Sequence, residues 1–152
     1  MRFKDKMRPV EILLVEDNPG DVRLTREALK EAKLTNNLHV AGDGVEGLAY
    51  LQKVGKFSDE PTPDLILLDL NLPKKDGREL LIDIKEDEHL KHIPVVILTT
   101  SKAEADINKS YESHANCYIT KPVDMNQFIK IVKSIEHFWF SIVKLPPNEN
   151  FV

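Results

Sequence analysis

The chain has 152 residues, 41% of them hydrophobic and 30% charged, enough for one soluble domain with a real core. Its net charge of -4 argues against nucleic acid as the main partner, because phosphate binding draws on concentrated Lys and Arg. Cys117 is the single cysteine, which excludes an intrachain disulfide and fits a reducing cytoplasm. No apolar run nears the roughly 20 residues of a membrane span, and the basic stretch Met1–Arg8 leads into no signal-peptide core.

In chain order, Val10–Val15 is expected to be a first buried strand, ending on Glu16, Asp17 and Asn18. Asn18 suits an N-cap and Pro19 the first turn of a helix. Val22, Leu24, Ala28 and Leu29 then recur at helical spacing up to Lys33. Leu38–Ala41 is a short second strand, Asp43-Gly44 a turn, and Val45–Lys53 a short helix with Leu48 and Leu51 inward. A polar loop, Gly55–Pro63, runs into the apolar strand that starts at Leu65 and delivers Asp69 at its C-terminal end. After Pro73 comes a turn in which Gly77 is available for a positive φ, then a helix over Glu79–Lys85 with Leu80, Leu81 and Ile84. Pro94 opens a fourth strand, Val95–Leu98, ending on Thr99, Thr100 and Ser101. Lys102–His114 has a helical pattern with few large apolar residues, which predicts a marginal helix. Cys117–Ile119 is a fifth strand, followed by Thr120, Lys121 and Pro122, and Asp124 suits the N-cap of a last helix running past Phe138.

Strand and helix thus alternate five times. Parallel strands joined by right-handed crossovers give an α/β, doubly wound sheet with helices on both faces, and the flavodoxin-like order 2-1-3-4-5 is the common solution at this size. In that order strands one and three are neighbours, so Glu16, Asp17 and Asp69 converge at the edge where such sheets bind ligands. Carboxylates that close repel unless a cation joins them. Oxygen ligands in an accessible cleft suit Mg²⁺, and a backbone carbonyl near Asn71 offers another oxygen. The Thr99 hydroxyl and the Lys121 ammonium arrive at the same edge from strands four and five. A divalent cation, a hydroxyl and an ammonium around one aspartate suit a transferring phosphoryl group, with Asp69 as the attacking carboxylate.

Glu16-Asp17, Asp69, Thr99 and Lys121-Pro122, in this order and at these strand ends, resemble the pattern of response-regulator receiver domains of two-component systems. The stretches Ile66–Glu79 and Leu98–Ser101, with the tail from Phe138-Trp139 to Leu145-Pro146, are similar to the single-domain regulators paired with cyanobacterial phytochromes. The resemblance covers about residues 10–140. It implies Asp69 as phosphoacceptor, Glu16, Asp17 and Asp69 as Mg²⁺ ligands, and Asn71 as a ligand through its main-chain carbonyl. It further implies Thr99 as the switching hydroxyl, Lys121 as the phosphoryl-binding cation, Tyr118 as an aromatic that moves inward on activation, and a cis bond before Pro122. A sensor histidine kinase, a phytochrome in the cyanobacterial regulators it is similar to, is the implied phosphoryl donor. Signalling is expected through phosphorylation-dependent protein contact in the cytoplasm, with self-dephosphorylation at most slow.

Two other readings use the same residues. A haloacid-dehalogenase-type phosphatase also places an aspartate nucleophile after a buried strand, but it needs an acid two residues on, where Asn71 stands. A receiver-like module could bind partners without phosphorylation, although the full residue set speaks against this. Neither Gly-rich phosphate loop occurs, which argues against a nucleotide-binding enzyme. The expected organisation is an N-terminal arm over 1–8, a receiver over 9–140 and a C-terminal extension over 141–152, with nothing past about Leu145 long enough for an output domain. Phe138, Trp139, Phe140 and Ile142 exceed what one buried helix face needs and predict a homodimer contact.

Overall fold

The structure, a computed structural model, describes residues 9–31, 35–99, 117–121, 124, 126, 127 and 130. Five strands and three helices of the described residues build it: β1 (Val10–Val15), α1 (Pro19–Glu31), β2 (Asn36–Ala41), α2 (Gly44–Leu51), β3 (Leu65–Asp69), α3 (Gly77–Glu86), β4 (Val95–Thr99) and β5 (Cys117–Thr120), with a short 3-10 turn at Gly55–Phe57. The strands form one sheet in the order β2-β1-β3-β4-β5, all pairs parallel, as the alternation of elements predicts.

The run of apolar residues in β3 follows from burial on both faces, since all five of its residues are buried. Ile66 and Leu68 face one way and join Leu13, Val15, Val95 and Ile97 under Tyr50 and Leu51 of α2 and Leu80, Leu81 and Ile84 of α3. Leu65 and Leu67 face the other way and join Ile12, Leu14, Val96 and Leu98 against Val22 and Leu29 of α1. Each fully buried side chain of this kind is worth about 1.5–3 kcal/mol over leaving it in water, so both faces of the central strand are held firmly.

The helices begin where short polar residues allow. Asn18 Oδ1 accepts from the Asp21 backbone N–H at 3.0 Å. Asp43 caps α2 by accepting from the Glu46 N–H at 2.7 Å. Asp76 and Glu79 form a reciprocal capping box on α3. Three details depart from the sequence expectations. Leu24 is 50% exposed and Thr25 takes the inward position on α1, because the buried stripe follows Val22, Thr25 and Leu29 rather than Leu24. The turn at Asp43-Gly44 already belongs to α2, which stops at Leu51 before Lys53 adopts a positive φ of 58°. The positive φ after Pro73 falls on Lys74, at 68°, and not on Gly77. Gly77 is needed for space instead: a Cβ there would overlap the Asp69 carbonyl oxygen and lie 2.6 Å from Leu70 Cα.

The N-terminal part of the sheet carries its own polar cluster. His39 on the edge strand β2 places Nε2 2.7 Å from Glu11 Oε1 and Nδ1 3.6 Å from Glu60 Oε1. Asn37 Nδ2 donates to Glu11 Oε2 at 3.0 Å, and Tyr50 stacks at a tilt beside both His39 and Phe57. The predicted helix over 102–114 and the apolar tail fall outside the described residues.

Candidate metal and phosphoryl site

Parallel pairing decides what meets at the C-terminal edge. Val15 stands beside Leu68 in the β1–β3 register, so Glu16 and Asp69, each the next residue, arrive side by side. Asp69 pairs with Leu98 and Thr99 with Thr120, which brings Lys121 out of β5 over the same edge. The Lys121 ammonium then lies 2.9 Å from Glu16 Oε1 and 3.0 Å from Asp69 Oδ2. It also lies 3.0 Å from Asp21 Oδ2 in the first turn of α1.

This centre is out of water. The side chains of Lys121, Glu16 and Asp69 are 9%, 1% and 4% exposed, whereas Asp17 beside them is exposed. Asp69 is oriented from two sides, its Oδ2 by Lys121 and its Oδ1 by the Asn71 backbone N–H at 3.0 Å. Glu16 Oε2 accepts from the Asn18 N–H at 3.2 Å. Its Oε1 is near Lys121 but off the line of a hydrogen bond, and so remains a buried oxygen without one. Burial and the neighbouring Asp69 carboxylate push the Glu16 carboxyl up to about 7, against the pull of Lys121. For Lys121 burial disfavours the charge, but Glu16, Asp69 and Asp21 outweigh it and hold the ammonium above the usual lysine range.

Whether a cation fits can be judged from these groups. Glu16, Asp17 and Asp69 each offer an oxygen, and the three lie within 4.8 Å of one another. With Asp21, four carboxylates gather at this edge, three of them paired with its one ammonium. That excess of negative charge, with a buried Glu16 oxygen that has an ion pair but no hydrogen bond, suits a further positive charge of the hard, oxygen-binding kind.

Of the residues singled out in the sequence, the structure brings together Glu16, Asp17, Asp69 and Lys121 and joins Asn71 to them through its amide. Thr99 ends β4 at this edge, one residue past the level of Asp69. Tyr118 is half-buried on the α2–α3 side of the sheet. Pro122, Phe138, Trp139, Phe140 and Ile142 lie outside the described residues. The sequence reading missed Asp21. Its first-turn position marks it as a dipole acid, and only the three-dimensional approach of Lys121, 100 residues away, makes it part of the site.

A five-stranded doubly wound sheet with an acid pair, an aspartate and a lysine at its C-terminal edge defines a receiver, and the family comparison agrees: the response regulator receiver domain matches residues 12–133, and the chain belongs to that family. It is 51% identical over 138 residues to response regulator Rcp1 of Synechocystis sp., covering 91% of this chain and 94% of that one. The phosphorylated cyanobacterial phytochrome response regulator RcpA superposes with a TM-score of 0.73 at 52% identity, over 91% of this chain and 99% of that one. The bacteriophytochrome response regulator AtBRR does so with a TM-score of 0.80 at 47% identity, over 88% and 96%. Rcp1 has also been solved in an Mn²⁺-bound form, at a TM-score of 0.71 over 91% of this chain and 99% of that one.

Proposed function

We propose that the chain is a single-domain response regulator that takes a phosphoryl group from a sensor histidine kinase, a phytochrome by analogy with its similar proteins, onto Asp69. The observation that carries this reading is the buried Glu16–Asp69–Lys121 centre with one Glu16 oxygen left without a hydrogen bond. Glu16, Asp17 and Asp69 would hold Mg²⁺, with the Asn71 main-chain carbonyl as a further ligand. When bound, Mg²⁺ neutralises phosphoryl oxygens and the mutual repulsion of the carboxylates. That a similar protein binds Mn²⁺ and another is phosphorylated supports both parts.

A carboxylate oxygen of Asp69 attacks the phosphorus of a phosphohistidine. The P–N bond breaks and the imidazole leaves as a neutral ring after taking up a proton. Fixing Asp69 between the Lys121 ammonium and the Asn71 amide lowers the cost of reaching the attack geometry. Lys121 then has a phosphoryl oxygen to pair with, Thr99 supplies a hydroxyl at the same edge, and Tyr118 moves toward the space this opens. The altered surface is the signal, read by another protein in the cytoplasm. Self-hydrolysis of the acyl phosphate is slow. The arm over 1–8, the receiver over 9–140, the extension over 141–152 and the cis bond before Pro122 belong to the same reading. So does a homodimer contact through Phe138, Trp139, Phe140 and Ile142.

Acetyl phosphate with Mg²⁺, followed by intact mass measurement, tests the central step. The expected result is one added phosphoryl group in the wild type and none in Asp69→Asn. Equal uptake by both would overturn it.

A further inference from the structure

The loop that leaves Asp69 is squeezed between two glycines. At its far end Gly77 lets the backbone of α3 pass against the Asp69 carbonyl, and the Gly77 N–H donates to the Leu70 carbonyl at 3.0 Å. At its side stands Gly44, the first residue of α2. A Cβ on Gly44 would overlap the Lys75 carbonyl oxygen and come within 2.7 Å of both Lys75 C and Cβ. These are backbone and near-backbone atoms, so no side-chain rotation relieves the clash. The loop is held against Gly44 by its own chemistry. Lys74 is fixed at a φ of 68°, its ammonium lies 3.4 Å from the Asp43 carboxylate that caps α2, and Lys75 pairs with Asp83 on α3 at 2.7 Å.

From this close approach we infer that Gly44 is a positioning residue for the phosphoacceptor. Resting on the receiver reading above, the inference adds a residue on a neighbouring helix that touches neither metal nor phosphoryl. Pinned at Leu70 by Gly77 and at Lys75 by α2, the loop has little freedom at Asn71. The Asn71 N–H holds Asp69 Oδ1, and the same residue is the proposed source of a carbonyl ligand. Pushing Lys75 off Gly44 displaces the loop by on the order of 1 Å. A misplacement of that size near a reacting group can lower a rate up to about a hundredfold.

The test compares two glycines of the same helix. Gly47 is also buried in α2, and a Cβ there would press on Leu80 and Val15 side chains at 3.1–3.3 Å, which strains the core without touching the loop. Gly44→Ala and Gly47→Ala are measured at temperatures equally far below each melting point. The readouts are Mg²⁺ affinity by calorimetry, phosphorylation rate with acetyl phosphate, and hydrogen exchange of the Asn71 amide. Expected for Gly44→Ala are Mg²⁺ binding and phosphorylation at least fivefold weaker than in Gly47→Ala, with faster Asn71 exchange. Equal values in the two variants overturn the positioning role while leaving the receiver reading intact. Failure of the wild type to take phosphoryl defeats both. Should Gly44→Ala not fold, Gly44→Ala with Lys74→Gly frees the loop to retreat. That double variant is expected to fold with weak Mg²⁺ binding compared with Lys74→Gly alone, and equal binding again overturns the inference.

Discussion

Two polar clusters in this molecule are built on one plan, a basic side chain set among carboxylates. At the C-terminal edge of the sheet Lys121 meets Glu16, Asp21 and Asp69. In the N-terminal part His39 meets Glu11 and Glu60. They differ in satisfaction. Glu11 has a partner on each oxygen, His39 on one and Asn37 on the other, and the cluster is open enough for water to share the work. The Lys121 cluster is buried at its centre and leaves a Glu16 oxygen without a hydrogen bond. A complete network ties chain segments together, whereas an incomplete and dry one is ready to take another charge.

If that contrast is right, substitutions in the two clusters should have unequal effects. Largest is Asp69→Asn, which keeps the shape and removes the proposed nucleophile. Phosphorylation by acetyl phosphate should be undetectable by intact mass, and a wild-type rate would break the contrast at its centre. Next is Lys121→Ala, which leaves buried carboxylates without their ammonium. Chemical denaturation without metal should show a loss of about 3 kcal/mol, with much of it returned by Mg²⁺. A loss that Mg²⁺ leaves unchanged would mean that the acids do not form a cation site.

Glu16→Gln addresses pH. The folded carboxyl is pushed up to about 7 from a reference of 4.5. The stability this group contributes is therefore fully present below pH 4.5 and is lost as pH rises through about 7. Without metal, the wild type should lose stability relative to Glu16→Gln between pH 5 and pH 8, as read by melting temperature. Added Mg²⁺ should reverse that trend in the wild type alone. Smallest is His39→Gln. The pair it breaks is partly exposed, so the cost should stay below about 1 kcal/mol, with Mg²⁺ affinity unchanged in calorimetry. A tenfold loss of affinity there would show the two clusters to be coupled.

Most of the fold could be read from apolar runs such as Leu65–Leu68, because a strand buried on both faces has no polar alternation to confuse it. The acids followed from topology: once β1 and β3 are neighbours, residues just past their ends must meet. What escaped the sequence depends on side-chain reach and on free space. Asp21 joins the site because Lys121 extends across to it, and helical spacing alone says nothing of that contact. The roles of Gly44 and Gly77 lie in what they lack. A glycine in a turn suggests a positive φ, and here the strained residue is Lys74 while both glycines serve close backbone packing. The outward position of Leu24 came from a stripe in which a threonine, Thr25, holds a core place.

The ammonium that completes the pocket comes from β5, and it reaches Asp69 across 52 residues of chain and Asp21 across 100. Contacts so distant in sequence carry a loop-closure cost that slows folding. A ribosome-bound chain that has just released α3 already carries Asp69 and its acidic partners, yet has no Lys121. Such a chain, or one with β5 detached from β4, lacks the ammonium that holds Asp69 Oδ2. The carboxylate of Asp69 is therefore held from both sides only in a molecule whose last strand has docked.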